Sequence, residues 1–281
     1  MSKVLLAVLA HPDDESFGMG GTLALYARQG VQAHLICATR GEVGEMDPSF
    51  LQDFASAAEV REHELRCAAA ELGLTAVHFL DYRDSGMPGS PDNQHPRALT
   101  AQPLDEVAAK VAALMRQIRP QVVLTFDPIG GYRHPDHIAI QRATVQAFAQ
   151  VQAEDGPLGP QKLYFHTINR SFLRGAVKIL PFFGKDPRAW GQNGDIDLAS
   201  LVEVDYPVNI SVNYKPVAKQ KKAASLCHAS QGGAGLAGGI TGLVMRVVGD
   251  RENFMRAEPP APPNLREHDL FEGVRLNGAA D

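Results

Sequence analysis

The chain is poor in several features that would each have pointed to a function. Its 281 residues include one tryptophan and three cysteines, and 27 basic residues stand against 32 acidic ones, a formal charge of −5. No basic run stands out beyond Lys219, Lys221 and Lys222, so no nucleic acid and no anionic membrane is expected as partner. No apolar stretch reaches the ~20 residues of a membrane span. The opening MSKVLLAVLAHPDDE has a short apolar run followed by acids, which is not the form of a secretory signal. Cys37, Cys67 and Cys227 lie far apart without CxxC spacing. That pattern predicts isolated buried thiols in a reducing compartment, and hence a cytoplasmic protein. Internal repeats are absent, and the glycines of HASQGGAGLAGG lack the strand before them and the GK[ST] after them that a phosphate loop requires.

What the chain does have is an alternation of short apolar runs with helical patterns. KVLLAVLA (3–10), VQAHLICAT (31–39), AVHFL (76–80), QVVLTF (121–126) and KLYFHTI (162–168) read as buried strands, and LVEVDY (201–206) as a sixth. Helices are predicted over 54–72, 103–118 and from HPDHIAIQ onward, with another from 213 to 227. This order predicts an α/β fold, a Rossmann-like doubly wound, mostly parallel sheet of order 3-2-1-4-5, with loop insertions over the site. Residues 1–231 form the expected catalytic domain, with 170–200 as a lid or inserted surface loop. Residues 232–281 are expected to be a Gly-rich loop and C-terminal extension packed on the same domain, with disorder at the very end.

In such a sheet strands 1 and 4 lie side by side where the winding reverses, and ligands bind at their carboxyl ends. AHPDDE ends the first strand and DPIGGYRHPDH follows the fourth, so two His/Asp clusters more than a hundred residues apart converge there. His11, Asp14 and His137 make a His₂-carboxylate set suited to Zn²⁺ with a vacant fourth position, the pattern of a catalytic zinc. Asp13 is then free to accept a proton from water. Glu15 is expected to begin the following helix. His134 is too close to His137 to share the ion unless the first helical turn is distorted, so it is assigned to the substrate side. Asp136 is placed to orient an imidazole.

The same motifs resemble the LmbE-like, or PIG-L, family of zinc-dependent N-acetylglucosaminyl deacetylases, including the members of the mycothiol and bacillithiol pathways. AHPDDE and GGYRHPDH carry the resemblance, with TRGEVGE (39–45), REHEL (61–65), YRDSGMPG (82–89) and HASQ (228–231). It implies His11, Asp14 and His137 as zinc ligands, with iron(II) as the rival ion, and Asp13 as general base. It implies His134, supported by Asp136, as the imidazolium that protonates the leaving amine, and Tyr132 as a mobile partner of the carbonyl oxygen. Arg61 and Asp84 are implied to hold the sugar; each also has a purely structural alternative, a helix pair with Glu62 or Glu64 and a turn cap before Gly86. Glu42 and Glu45, in the loop after strand 2, and His228 are further candidates for substrate contact. The implied reaction is hydrolysis of the acetamide of a small GlcNAc conjugate, such as GlcNAc-malate or GlcNAc-inositol. An amidase acting on thiol S-conjugates and a noncatalytic carbohydrate-binding protein are the competing readings. Relatives of this kind are often homo-oligomers.

Overall fold

A computed structural model describes residues 2–167, 170–184, 186–189, 197–233 and 250–276. The first apolar run is β1 (Val4–Leu9), buried along its whole length. Helix α1 (Asp14–Arg28) leads to β2 (Gln32–Thr39), and α2 (Ala57–Leu72) to β3 (Ala76–Tyr82). The strongly amphipathic α3 (Leu104–Ile118) then leads to β4 (Val122–Phe126), also fully buried. A single turn, α4 (Gly130–Arg133), precedes the long α5 (Pro135–Asp155), which returns the chain to β5 (Lys162–Thr167). Strands buried on both faces, rich in Val, Leu and Ile, are what a parallel sheet covered by helices requires.

Among the described residues the sheet has seven strands, in the order β3-β2-β1-β4-β5-β7-β6, with β6 at Ile210–Asn213 and β7 at Arg251–Glu258. The first five pair in parallel, in the expected order, and β1 sits between β2 and β4 at the reversal of winding. Helix α2 is capped by Ser56, whose hydroxyl accepts from Glu59 N–H, and begins at Ala57, three residues later than the periodicity suggests; it is closed by Gly73 in the left-handed conformation.

The second half departs from expectation. LVEVDY is not a strand: Leu201 closes a short helix, α7 (Leu198–Leu201), and the strand lies further on, at β6 (Ile210–Asn213). Between β5 and β6 the sheet takes in β7 (Arg251–Glu258), antiparallel to both. Its pattern is masked in sequence because a buried position holds Glu252, which is satisfied by Lys221 Nζ and by the N–H groups of Gly21 and Thr22. The presumed lid contains a helix, α6 (Arg170–Ile179), whose signal is weakened by Gly175 inside it and Pro181 just beyond. The rest of that segment at 185 and 190–196, the glycine-rich stretch 234–249 and the terminal 277–281 lie outside the described residues.

The cysteine reading is also corrected. Cys67 on α2 and Cys227 at the end of α8 (Ala218–Cys227) form a disulfide with Cα atoms 5.8 Å apart, and only Cys37 is a free buried thiol. The two helices pack side by side, so cysteines 160 residues apart in sequence meet, and the spacing argument for a reducing compartment falls. No helix among the described residues is long and apolar enough to cross a membrane.

Candidate functional site

Both predicted clusters arrive at the carboxyl edge of the sheet. β1 delivers His11, and Asp13 follows with φ 122°, a conformation that strains any residue with a Cβ. The strain is held from several sides: Asp13 N–H donates to Glu15 Oε2 at 3.0 Å, and Arg61 Nη2 donates to Pro12 O (2.7 Å) and Asp13 Oδ2 (3.0 Å). Arg61 also donates to Gly41 O at 3.1 Å. A Cβ on Gly41 would fall 2.0 Å from Arg61 Nη1, so glycine is required there both for its φ of +67° and for the passage of the guanidinium.

After β4 the chain turns through Gly130 and enters α5 with His134 as N-cap and Pro135 in the first turn. Gly130 allows this close approach: a Cβ there would lie 2.8 Å from the Cβ of His137. His137, one turn into the helix, faces His11, and the Phe126 ring stacks on it at 3.9 Å.

Three side chains converge. His137 Nε2 lies 3.3 Å from His11 Nδ1 and 3.3 Å from Asp14 Oδ1, and His11 Nδ1 lies 3.7 Å from Asp14 Oδ2. Tetrahedral bonds of the usual zinc–nitrogen or zinc–oxygen length place ligand atoms about 3.3 Å apart, so the spacing fits such an ion. The hydrogen bonds behind the rings agree. His137 Nδ1 is 3.2 Å from Gly130 O and donates to it, while His11 Nε2 is 3.1 Å from Asp136 Oδ2 and donates there. Both remaining nitrogens therefore turn lone pairs toward one point beside a carboxylate, an arrangement that calls for a cation. Burial alone would lower the pKa of His11, yet Asp84, Asp136 and Asp14 raise it well above the ordinary value, another sign that this point favours positive charge. Asp136 Oδ1 is buried without a partner.

Asp136 is thus tied to His11 and to Ser85 N–H (2.9 Å), a correction to its expected place behind His134. The rings of His11, His134 and His137 do lie close enough for their nitrogens to fall within 4.8 Å of one another. His134, however, uses Nδ1 as the helix cap, accepting from Asp136 N–H at 3.2 Å, which leaves its proton on Nε2. Burial and the two neighbouring imidazoles push His134 down to about 2, which favours the neutral ring. Burial lifts Asp13 to about 6 against the pull of Arg61, with Asp14 adding to the rise. Tyr132 lies edge-on to His137 (4.9 Å between ring centres), and burial and the surrounding acids keep its phenol protonated.

A cavity of about 860 Å³ opens from this centre and is lined by His11, Asp13, Arg61, Asp84, Tyr132 and His134, and by Glu45 further out. Arg61 makes neither helix pair that was its alternative; Glu62 bonds Arg40 and Arg66, and Glu64 binds Ser230 through its N–H and hydroxyl, both at 2.7 Å. Asp84 does cap the turn, accepting from Gly86 N–H at 2.8 Å, but also lines the cavity 3.5 Å from His11 Nε2. Glu42 stands behind it, accepting from Asp84 N–H at 2.9 Å, and is not among the lining residues. His228 is fully buried, 2.7 Å from Glu15 Oε1, and likewise does not line the cavity. Glu15 lies in the first turn of α1, one residue after its start, with the added task of holding His228.

Sequence reasoning missed the outer wall: Met46, Asp47 and Phe50 from the loop after β2, Met87 and Asp92 from the loop after β3, and Ser230 and Gln231 after α8. TRGEVGE, YRDSGMPG and HASQ flagged these three loops, but no periodicity marks which loop residues face a cavity.

Comparison with known proteins adds to this geometry. Residues 6–148 match the family model PIG-L, described as GlcNAc-PI de-N-acetylase. A deacetylase of Acidothermus cellulolyticus named for 1D-myo-inositol 2-acetamido-2-deoxy-alpha-D-glucopyranoside is 37% identical, with 100% of this chain and 98% of that protein covered. A protein of the same name from Rhodococcus erythropolis is 35% identical over 97% of this chain and 98% of its own. Among solved structures, the N,N'-diacetylchitobiose deacetylase of Pyrococcus horikoshii superposes with a TM-score of 0.61 at 20% identity, covering 91% of this chain and 84% of that one, which is a likeness of fold.

Proposed function

The chain belongs to the PIG-L family of de-N-acetylases, and on that premise we propose that it removes the acetyl group from an N-acetylglucosaminyl conjugate, with GlcNAc-inositol as the first candidate. The observation that carries this reading is the convergence of His11 Nδ1, His137 Nε2 and the Asp14 carboxylate at tetrahedral spacing, with both imidazole lone pairs aimed inward. These three residues would hold a divalent ion, zinc by the donor set, which supplies Lewis acidity to the acetamide carbonyl oxygen and to the attacking water.

The chain's own groups supply the proton movements. Asp13, pinned by Arg61 at the cavity wall, takes the proton of the attacking water through its carboxylate. Its pKa near 6 keeps it ionised at neutral pH, yet basic enough to hold that proton and pass it to the departing amine. His134, neutral with its proton on Nε2, lines the same cavity and donates a hydrogen bond from that nitrogen. The Tyr132 phenol donates to the oxygen on which negative charge develops. Asp84 and Arg61 border the space left for the sugar hydroxyls.

The test is acetate release from GlcNAc-inositol by the protein as purified, after chelation, and after adding back zinc or iron(II). Activity lost on chelation and restored by metal, and reduced about a hundredfold or more in Asp13→Asn with the metal retained, is the expected result. Full activity in the Asp13 variant would refute the assigned base.

A further inference from the structure

The outer wall of the cavity differs from its floor. On the floor each charge is engaged: Asp13 with Arg61, and Asp84 with Gly86 N–H and His11. Further out the wall carries Glu45 and Asp47 from the loop after β2, and Asp92 from the loop after β3. Asp92 bonds Arg83, and Asp47 accepts from Ser49 N–H, while neither Glu45 nor Asp47 has an ion-pair partner among the described residues. The one lysine or arginine lining the cavity among those residues is Arg61. It is 4% exposed and spends its terminal nitrogens on Asp13, Pro12 O and Gly41 O. Its Nε remains buried without a partner.

A conjugate whose acetamide lies at the imidazole cluster has this cavity to extend into, so its aglycone meets the outer wall. Carboxylates without a facing cation repel an anionic group and accept hydrogen bonds from hydroxyls or an ammonium group. Resting on the deacetylase reading, we propose that Glu45 and Asp47 select the aglycone by charge. The site takes a neutral polyhydroxylated or an amine-bearing aglycone and turns away one that carries carboxylate or phosphate. The proposal separates two substrates left open by the motifs, GlcNAc-inositol and GlcNAc-malate, and sets this chain apart from the phosphoinositide conjugate in the family's description.

The test uses the metal-loaded enzyme and three conjugates that share the GlcNAc group, linked to inositol, to glucosamine and to malate. kcat/KM is measured at low and at high salt, for the parent and for the double variant Glu45→Lys, Asp47→Lys. The malate conjugate is expected to trail the inositol conjugate by about tenfold at low salt, as one or two unscreened charge contacts dictate, with the gap narrowing as salt rises. The double variant should raise kcat/KM for malate relative to inositol. If that variant does not fold, the salt dependence of the parent decides. A malate conjugate hydrolysed as well as the inositol one, or a gap indifferent to salt, overturns the proposal while leaving the deacetylase reading standing. If none of the three releases acetate, the deacetylase reading falls and the charge rule falls with it.

Discussion

His11 Nδ1 and His137 Nε2 face each other across 3.3 Å, each with its lone pair forward, because the other nitrogen of each ring donates elsewhere. Two such lone pairs beside the Asp14 carboxylate repel unless a cation lies between them. The partners behind the rings therefore act on metal affinity.

Asp136→Asn tests this directly. An amide at 136 still accepts but no longer carries the charge that favours the Nε2–H form of His11. Metal affinity, read by competition with a chelator, should fall by about 10–100-fold while the thermal transition of the chelated protein changes little. Unchanged affinity would show that another residue sets the ring.

Gly41→Ala probes the other side of the site. The new methyl would sit 2.0 Å from Arg61 Nη1 on a backbone with φ +67°, so the guanidinium must leave Asp13. kcat is expected to drop at least about tenfold through the misplaced base. The metal content of the variant, measured by atomic emission, should remain that of the parent.

The disulfide predicts a thiol count and a stability. Denatured protein should react with a thiol reagent at one cysteine, Cys37, and at three after reduction. Replacing Cys67 and Cys227 by serine should cost about 2–5 kcal/mol, seen as a lower denaturation midpoint. Three reactive thiols in denatured, unreduced protein would show that the bond is not made.

A second buried pair predicts a pH effect. Burial alone would raise Glu267, but Lys162, Tyr164 and Arg256 outweigh it and hold the carboxyl below its ordinary 4.5. A depressed folded-state value means that the stabilisation is fully present above the unfolded value and is lost as pH falls through the folded one. The melting temperature should therefore fall as pH drops below 4.5, and Glu267→Gln should flatten that limb of the curve. An identical acid limb in the variant would remove Glu267 as its cause.

The parts of the site that could be read in advance are those written in contiguous residues. AHPDDE and GGYRHPDH each follow a buried strand, so periodicity places them at strand tips and the winding rule brings the tips together. Arg61 is a different case: on its helix it had Glu62 and Glu64 within reach, and only the packing of α2 against the AHPDDE loop sent it to Asp13. β7 escaped notice because Glu252 occupies an inward position, and a buried acid reads as a surface residue until its partners Lys221, Gly21 and Thr22 are known.

By itself the sequence determined the order of the first five strands, the two acid-and-imidazole tips and their meeting at the reversal of winding. Those depend on local periodicity and on the handedness of the crossover, and both are short-range properties of the chain. The tertiary structure decided which acid stands behind which imidazole, that Cys67 meets Cys227, and which loop carboxylates wall the cavity. Such pairings join isolated residues across as many as 160 positions, and no spacing encodes them. They follow from how helices and loops pack, where a few ångströms settle whether a charge finds a partner.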